Sequence, residues 1–235
     1  MGKVIMAGGK PNMVPSWEKF PAIFSEASWA QIIRACETRL VPDSWLVGNS
    51  KTMTINGTDY LIDIIGKDHD DYADGSGKAP LTLQLHDCYA TTYAMNSADT
   101  NVGGWAESAM RNTHLPAIFA LMPSEVQEGI KEVLKITTAG NQDTAIVTTA
   151  DKLFLLAQIE AKSASSAYGA EGVQYEYYLT SSRLVKNRLG SAEQWWYRSP
   201  IVANTVAFVV QPTSASTNSS AGGSALRGVT FAFCF

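Results

Sequence analysis

The densest group of potential ligand side chains in the sequence is the run Asp-His-Asp-Asp-Tyr-Ala-Asp-Gly over residues 68–75. Asp70 and Asp74 have the spacing of the first ligands in a calcium-binding loop. Tyr72, however, occupies the third position of such a loop, and Leu81 occupies the position of the bidentate acid. The pattern therefore favours a solvated acidic turn over a metal site, with Asp70 and Asp74 as the candidate metal ligands.

Other reactive residue types are scattered along the chain. The three histidines share no spacing, and there is no Gly-x-Ser-x-Gly motif to indicate a serine nucleophile. The chain has three cysteines, an odd number, and none of them has a Cys-x-x-Cys spacing: Cys36, Cys88 and Cys234. We therefore expect buried thiols in a chain that folds under reducing conditions, and no zinc site. A carboxylate pair such as Glu160 and Glu171 stays open as an acid–base alternative. We predict no catalytic residue, no cofactor and no enzyme activity.

The composition excludes some partners. Charged residues make up only 17% of the 235 residues, the net charge is −4, and no basic run occurs, which excludes nucleic-acid binding. No stretch approaches the ~18 apolar residues of a membrane span, so we expect no membrane insertion. The N-terminal region lacks the apolar segment and cleavage site of a signal peptide, which predicts assembly in a cytoplasm.

The run Trp-Trp-Tyr-Arg-Ser-Pro over residues 195–200 predicts a buried extended segment. Adjacent side chains of a strand point to opposite faces, so Trp195 and Trp196 should enter different packing layers. Arg198 should lie on the side of Trp196 and either stack on an aromatic ring or bind a carboxylate with both guanidinium arms. We expect a structural core that includes Trp105, Arg111, Trp195, Trp196 and Arg198.

Periodicity predicts a mixture of helices and short strands. Helices are expected at about 28–40, 106–114 and 123–130. Asn56-Gly57 predicts a tight hairpin between strands 52–55 and 58–65. Further strands are expected at 81–85, 133–136, 145–148, 151–157, 206–210 and 229–235, and residues 213–223 should form an exposed loop. The last strand should close the sheet near the first ones.

Residues 1–24 predict an extended N-terminal arm, because glycines and prolines interrupt any longer element. Trp17, Phe20 and Phe24 would give this arm apolar contacts, either on the chain's own domain or on a neighbouring subunit. Residues 25–235 would form one domain.

Five segments in a fixed order carry a resemblance; they are Trp45-Leu-Val-Gly-Asn, Gly104-Trp105-x-x-Ser108-x-Met110-Arg111, Asp151-Lys-Leu-Phe-Leu-Leu, Trp195-Trp196-Tyr-Arg198-Ser199-Pro200 and Gly228-Val-Thr-Phe-Ala-Phe. Their order resembles a family of unknown-function domains of Gram-positive bacteria and their phages. That family is similar to the C-type-lectin-like fold of formylglycine-generating enzymes and phage receptor-binding proteins. The resemblance implies an α+β, C-type-lectin-like single domain with short twisted antiparallel strands, two to three helices and long ordered loops.

The resemblance also implies a function. We expect a bacteriophage virion structural protein, a lectin-like surface module most often of the tail, in a fibre or receptor-binding role and without catalysis. The alternatives are an architectural head-decoration or tail-stabilising subunit with no ligand and, third, a relative of formylglycine-generating enzymes. The arm would bind other virion proteins, the module would form a homo-oligomer, and a host-surface glycan or protein would be the ligand. Candidate ligand contacts are the loop tyrosines Tyr72, Tyr89, Tyr93 and Tyr168.

Overall fold

The computed structural model describes residues 19–162, 171–215 and 219–235, together with the backbone of residues 4–7 and 10–13. In these ranges the chain has a mixed α/β fold of small antiparallel sheets and few helices. The strands are β1 Val4–Ala7, β2 Lys10–Met13, β3 Ser50–Ile55, β4 Thr58–Gly66, β5 Thr82–Leu85, β6 Val133–Gly140, β7 Asp143–Asp151, β8 Lys186–Arg188, β9 Ser191–Glu193, β10 Trp195–Pro200, β11 Ala207–Gln211, β12 Ser219–Gly222 and β13 Ala232–Cys234. The α-helices are α1 Trp29–Glu37, α2 Leu115–Phe119, α3 Ser124–Gly129 and α4 Gln158–Ala161.

The central sheet has four strands in the order β13-β5-β4-β3. Asn56 and Gly57 join β3 to β4 with φ angles of +48° and +76°, so the predicted hairpin is confirmed. β5 is buried at every residue, because β4 and β13 flank it and other layers cover its two faces. The isoleucines and leucines of β4 and β5 form the middle of the core.

The C-terminal strand β13 pairs with β5 and so joins the sheet that begins with β3 and β4. Its other side is satisfied by main-chain bonds: Lys131 donates to Cys234, and Phe154 and Ala232 form an isolated bridge. The strand expected at 151–157 was wrong, because only this single bridge forms there. Residues 153–157 are buried on both sides as an extended connection, which an apolar run alone cannot distinguish from a strand.

A second sheet contains β10, β11 and β12. Both indoles of β10 are fully buried, in different surroundings: Trp195 packs on Tyr197 at 4.5 Å between ring centroids, and Trp196 packs edge-on to Phe208 at 6.4 Å. The exposed loop predicted at 213–223 was wrong in part, since it contains β12. Main-chain hydrogen bonding to β11 forms this strand, and its Ser-Ser-Ala-Gly composition gives no sign of it.

Helix α1 begins at Trp29, within one residue of the start that the periodicity predicts, and Ser28 caps it. The Ser28 hydroxyl accepts a hydrogen bond from the Gln31 main chain, and the Gln31 side chain accepts one from Ser28 N–H. The helix expected at 106–114 begins later, with a π-turn at Met110–His114 that leads into α2. Pro116 does not end this helix, because it lies in the first turn of α2, where a missing N–H is tolerated.

The described end of the predicted arm packs on the body of the protein. Phe24 is buried edge-on against Trp45, Phe20 is half-buried beside the same indole, and the indole N–H donates to the carbonyl of Pro21. Trp17 lies outside the described residues. No helix that the structure describes is long and apolar enough to cross a bilayer.

Candidate functional site

A network of buried charged side chains links the central sheet to β6, α4 and β10. Lys135 Nζ lies 2.7 Å from Asp70 Oδ1 and 2.9 Å from Glu160 Oε1. Arg198 binds the same Glu160 with both guanidinium arms, at 2.6 and 2.9 Å. Arg198 therefore makes the carboxylate fork that the sequence offered as one of two alternatives, and Glu160 bridges two buried cations.

Asp70 belongs to this network and does not lie in a solvated turn. Its carboxylate accepts hydrogen bonds from Thr82, Lys135 and Tyr175. Burial acts to raise the pKa of Asp70, but the charge of Lys135 and the bonds from Lys135 and Thr82 outweigh it and lower the pKa to about 2. Both oxygens of this predicted metal ligand are thus held by protein donors.

The second predicted metal ligand, Asp74, is exposed and accepts a hydrogen bond from the main chain of Ser76 at 2.9 Å. The structure therefore places Asp70 in the core and Asp74 on the surface. Among the described residues, no group of three or more His, Cys, Asp or Glu side chains is arranged to hold a metal ion.

The carboxylates of Glu160 and Glu171, considered as an acid–base pair, both accept bonds from protein donors at each oxygen. Glu160 binds Arg198, Lys135 and the main chain of Ala157. Glu171 accepts from the Thr138 main chain and hydroxyl, and from Ser199. Burial raises the pKa of Glu171, whereas Arg198 and Lys135 outweigh burial and lower that of Glu160. This geometry is that of a structural network.

A cleft of about 870 Å³ opens between the end of α1, the turn after Tyr72 and the connection from α3 to β6. We call it the main cleft; it is lined by Cys36, Glu37, Arg39, Tyr72, Ala73, Asp74, Ser76, Glu128, Ile130, Lys131, Glu132, Ala150, Lys152 and Phe235. It thus brings together two residues that the sequence named separately, Tyr72 as a ligand contact and Asp74 as a metal ligand.

The floor of the main cleft is apolar and its rim is charged. Ile130 and Phe235 are buried, and the half-buried Tyr72 donates its hydroxyl proton to the main-chain oxygen of Phe235 at 2.7 Å. The rim carries four carboxylates and three basic side chains, namely Glu37, Asp74, Glu128, Glu132, Arg39, Lys131 and Lys152. A ligand here would meet apolar contact below and hydrogen-bonding groups of both charges around it.

The thiols are unsuited to nucleophilic chemistry. All three cysteines are free and buried. Burial raises the pKa of Cys88 to about 12, and it also raises the pKa values of Cys36 and Cys234. Because the thiolate is the reactive form, Cys36 contributes to the main cleft as a small apolar side chain.

Two other predicted ligand contacts, Tyr89 and Tyr93, are not among the residues that line the main cleft. Tyr89 is buried and stacks on Tyr60, with ring centroids 5.2 Å apart. Tyr93 is half-buried beside His114, and its main chain pairs with Arg227. Tyr168 lies outside the described residues.

Sequence reasoning missed the role of several buried charges. Lys135 alternates with Val133 and Thr137 on the inner face of β6, and Lys186 is buried at the start of β8. A carboxylate of β4, Asp63, lies 2.7 Å from His86 Nδ1. One sequence feature could have indicated this last pair: Asp63 lies within the apolar run Leu-Ile-Asp-Ile-Ile, where a buried carboxylate needs a partner.

The predicted core residues lie in these same layers. Trp105 is buried and donates its indole N–H to Asp151 at 2.9 Å, and Arg111 Nε binds the other oxygen of that carboxylate at 2.6 Å. Arg111 keeps about a quarter of its side chain exposed.

A family model described as a domain of unknown function (DUF6273) matches residues 81–234, which is more than half of the chain. No curated protein matches the sequence, and no solved structure does. The matched segment runs from the first residues of β5 to the last residue of β13 and includes the whole buried charge network except Asp70. The chain therefore belongs to this family of domains of unknown function, DUF6273.

Proposed function

We propose that this protein is a non-catalytic, C-type-lectin-like module on the surface of a bacteriophage virion, located at the tail, and that the main cleft binds a host-surface glycan or protein. The observation that carries the proposal is the main cleft itself. Its volume of about 870 Å³ lies in the range of ligand sites. Its apolar floor, Tyr72, Ile130 and Phe235, suits the apolar face of a sugar ring or a side chain.

The charged rim supports recognition of a polar ligand. Carboxylates and basic groups both stand around the opening, and Lys131, Glu132 and Lys152 among them are exposed. Hydroxyl groups and amides can bind both signs of charge, which makes the rim suitable for a glycan.

The buried charge network supports a displayed module that must remain rigid. It ties the turn at Asp70 to β6, α4 and β10 through hydrogen-bonded ion pairs, and breaking one such partner leaves an uncompensated buried charge. The lectin-like part of the proposal rests on the resemblance and on the short antiparallel sheets, with a C-terminal strand that returns to the first sheet.

Two alternatives use the same observations differently. An architectural head-decoration or tail-stabilising subunit would need the rigid body alone, and the main cleft would then receive a segment of a neighbouring virion protein. A relative of formylglycine-generating enzymes would need a reactive thiol, which the raised pKa values of the buried cysteines oppose.

The attachment role proposed for the arm falls on residues 1–18, because Phe20 and Phe24 are engaged by the body. Deleting residues 1–18 should leave a folded protein that no longer joins particles. Labelled antibody on intact particles then locates the protein at the tail tip, tail shaft or head. Undiminished incorporation of the shortened chain would contradict the assignment.

The ligand site is tested with Lys152→Glu, a charge reversal at an exposed rim position. Binding of the purified protein to host cells should fall at least tenfold, while the melting temperature stays the same. Lys67→Glu makes the same charge change outside the cleft lining and serves as the control. Unaltered cell binding by Lys152→Glu would argue against the main cleft, and wild-type protein that binds no host cell would favour the architectural alternative.

A further inference from the structure

The hairpin between β8 and β9 has an unusual residue at its tip. Three hairpins in the described chain turn through residues with positive φ: Asn56-Gly57, Asn141-Gln142 and Leu189-Gly190. Asparagine and glycine suit such turns, but leucine does not, because its side chain is strained at positive φ. Leu189 nevertheless has φ +53° and its side chain is 80% exposed. The chain accepts this strain without gaining burial from it.

Leu189 stands at the edge of a pocket of about 210 Å³, which we call the hairpin pocket. It is formed by the start of β4, the segment after β5 and the β8–β9 turn, and it is lined by Thr58, Asp59, Tyr60, Leu61, His86, Asp87, Cys88, Ala90, Asn187 and Leu189. None of these residues lines the main cleft.

One wall of the hairpin pocket is apolar. The Tyr60 ring is held flat against Tyr89, with 16° between the ring planes. Leu61 follows Tyr60 on β4 and therefore points to the other face of the strand, beside His86, whose main chain donates to the Leu61 oxygen at 2.9 Å. Leu61 is 43% exposed and Leu189 is 80% exposed, so both add apolar groups to the lining. Exposed apolar groups that converge on a concavity indicate a binding surface.

The pocket lining also includes an oriented imidazole, that of His86. Asp63, which is buried, accepts hydrogen bonds from Ser50 at 2.6 Å and Tyr177 at 2.5 Å, and it lies 2.7 Å from His86 Nδ1. This pairing places a proton on Nδ1 and leaves Nε2 of the half-exposed His86 for a ligand.

Two carboxylates complete the polar side. Asp59 accepts from Thr54 and Asp87 accepts from Asn187, in each case through one oxygen, so the second oxygen of each can meet a ligand. The charged groups that act on His86 are Asp63, Asp87 and the buried Lys186, and the hydrogen bond with Asp63 raises the pKa of His86. The three carboxylates of Asp59, Asp63 and Asp87 outnumber the two basic groups, His86 and Lys186, so the pocket favours hydroxyl or ammonium groups and disfavours anions.

We propose that the hairpin pocket is a second binding site, which takes a single neutral or amino sugar ring, with Leu189 and Tyr60 against the apolar face of the ring and His86, Asp59 and Asp87 on its hydroxyl or amino groups. The volume suits one such ring. This site is independent of the main cleft and of its proposed ligand.

The test adds five sugars one at a time to the full chain: methyl glucoside, methyl galactoside, methyl mannoside, glucosamine and glucuronic acid. Binding is measured by saturation-transfer NMR and by the shifts of the His86 ring signals during titration. At least one neutral or amino sugar should bind and shift these signals, and glucuronic acid should not. The proposal is overturned if no sugar of the panel binds, or if glucuronic acid binds as well as the others.

The decisive variant is Leu189→Asn, which gives the β8–β9 turn the same Asn-Gly pair that the β3–β4 hairpin has. The melting temperature should stay the same or rise, while sugar affinity falls at least tenfold. If Leu189 had only a structural role, its replacement would not lower the affinity while leaving the melting temperature intact. Leu226→Asn, at a 61% exposed leucine outside the pocket lining, is the matched control and should bind as the wild type does. Equal binding by Leu189→Asn and wild type would overturn the proposal.

The two sites can fail separately. Lys152→Glu should leave sugar binding at the hairpin pocket unchanged even where host-cell binding is lost, because Lys152 lines the main cleft and is not among the residues that line the hairpin pocket.

Discussion

At the scale of single residues, the protein uses its charged side chains for structure as much as for contact with solvent. Asp70 and Asp74 show the contrast, since one is enclosed by Lys135, Thr82 and Tyr175 and the other is exposed. The spacing of the two residues in the sequence predicts the same role, that of a candidate metal ligand, for both. Only the approach of β5 and β6 to Asp70 separates their roles.

We expect Asp70→Asn to reduce the free energy of unfolding by about 3–5 kcal/mol, because it leaves Lys135 buried without its closest counter-charge. Asp74→Asn, the matched exposed variant, should change it by less than about 0.5 kcal/mol. Urea denaturation at pH 7 measures both. Because the pKa of Asp70 is lowered from 3.8 to about 2, its stabilising effect should also disappear as the pH falls through this interval. Equal losses in the two variants would contradict the burial of Asp70.

Lys186 gives a second prediction at this scale. Its ammonium donates to the main-chain oxygens of Leu85 and His86, and burial, only partly offset by Asp63 and Asp87, lowers its pKa from 10.5 to about 8. The unfolded chain therefore binds more protons than the folded one between these values, and stability due to this group rises with pH across that range. Between pH 7 and 9 the wild type should gain about 1.4 kcal/mol relative to Lys186→Met.

The cysteine thiols also make the free energy of unfolding depend on pH, and above pH 9 they lower it, because their pKa values are raised in the folded state. Wild type and Lys186→Met share this contribution, so it cancels when the two are compared. Parallel pH dependences of unfolding for wild type and variant would show that Lys186 does not titrate in this range.

At the scale of elements, the hairpins were the most predictable part of the fold, and the connections were the least. Asn56-Gly57 fixes the β3–β4 register through its own backbone preferences, which need no tertiary partner. Residues 153–157 and β12 depend on neighbours: the first segment is buried but contributes one bridge, and the second is polar but pairs along its length. The helix around residue 110 was misplaced because a π-turn precedes Pro116.

The turn at Asn56 supplies the prediction for an element. Asn56→Ala should destabilise the protein by about 1 kcal/mol, since alanine is unfavourable at the φ of +48°. Asn56→Gly, which accepts this conformation, should change the stability by no more than a few tenths. Urea midpoints with unchanged slopes would measure the difference. If the two variants lost the same stability, the asparagine side chain and not the backbone would be the cause.

At the scale of the whole molecule, the family segment is smaller than the folding unit. Residues 81–234 contain β5 and β13, but the remaining half of the central sheet, β3 and β4, precedes them, as do Trp45 and α1 of the core. We expect residues 81–235 expressed alone to show no cooperative thermal unfolding, because β5 would lose a neighbour on one side and its cover. Residues 19–235 should unfold cooperatively near the wild-type melting temperature. Cooperative unfolding of the shorter fragment would contradict this account.

The sequence by itself determined the locally encoded features: a helix that begins near residue 28, the Asn-Gly hairpin and the burial of Trp195 and Trp196, because helical periodicity, turn geometry and large apolar area act within a few residues. Only the tertiary structure decided that Asp70, Lys135 and Glu160 meet in the core, that Tyr72 lies over Phe235, and that Leu189 stands beside the Asp63–His86 pair. These contacts join segments up to 163 residues apart, and a charge shows its partner only once the chain has brought the two together.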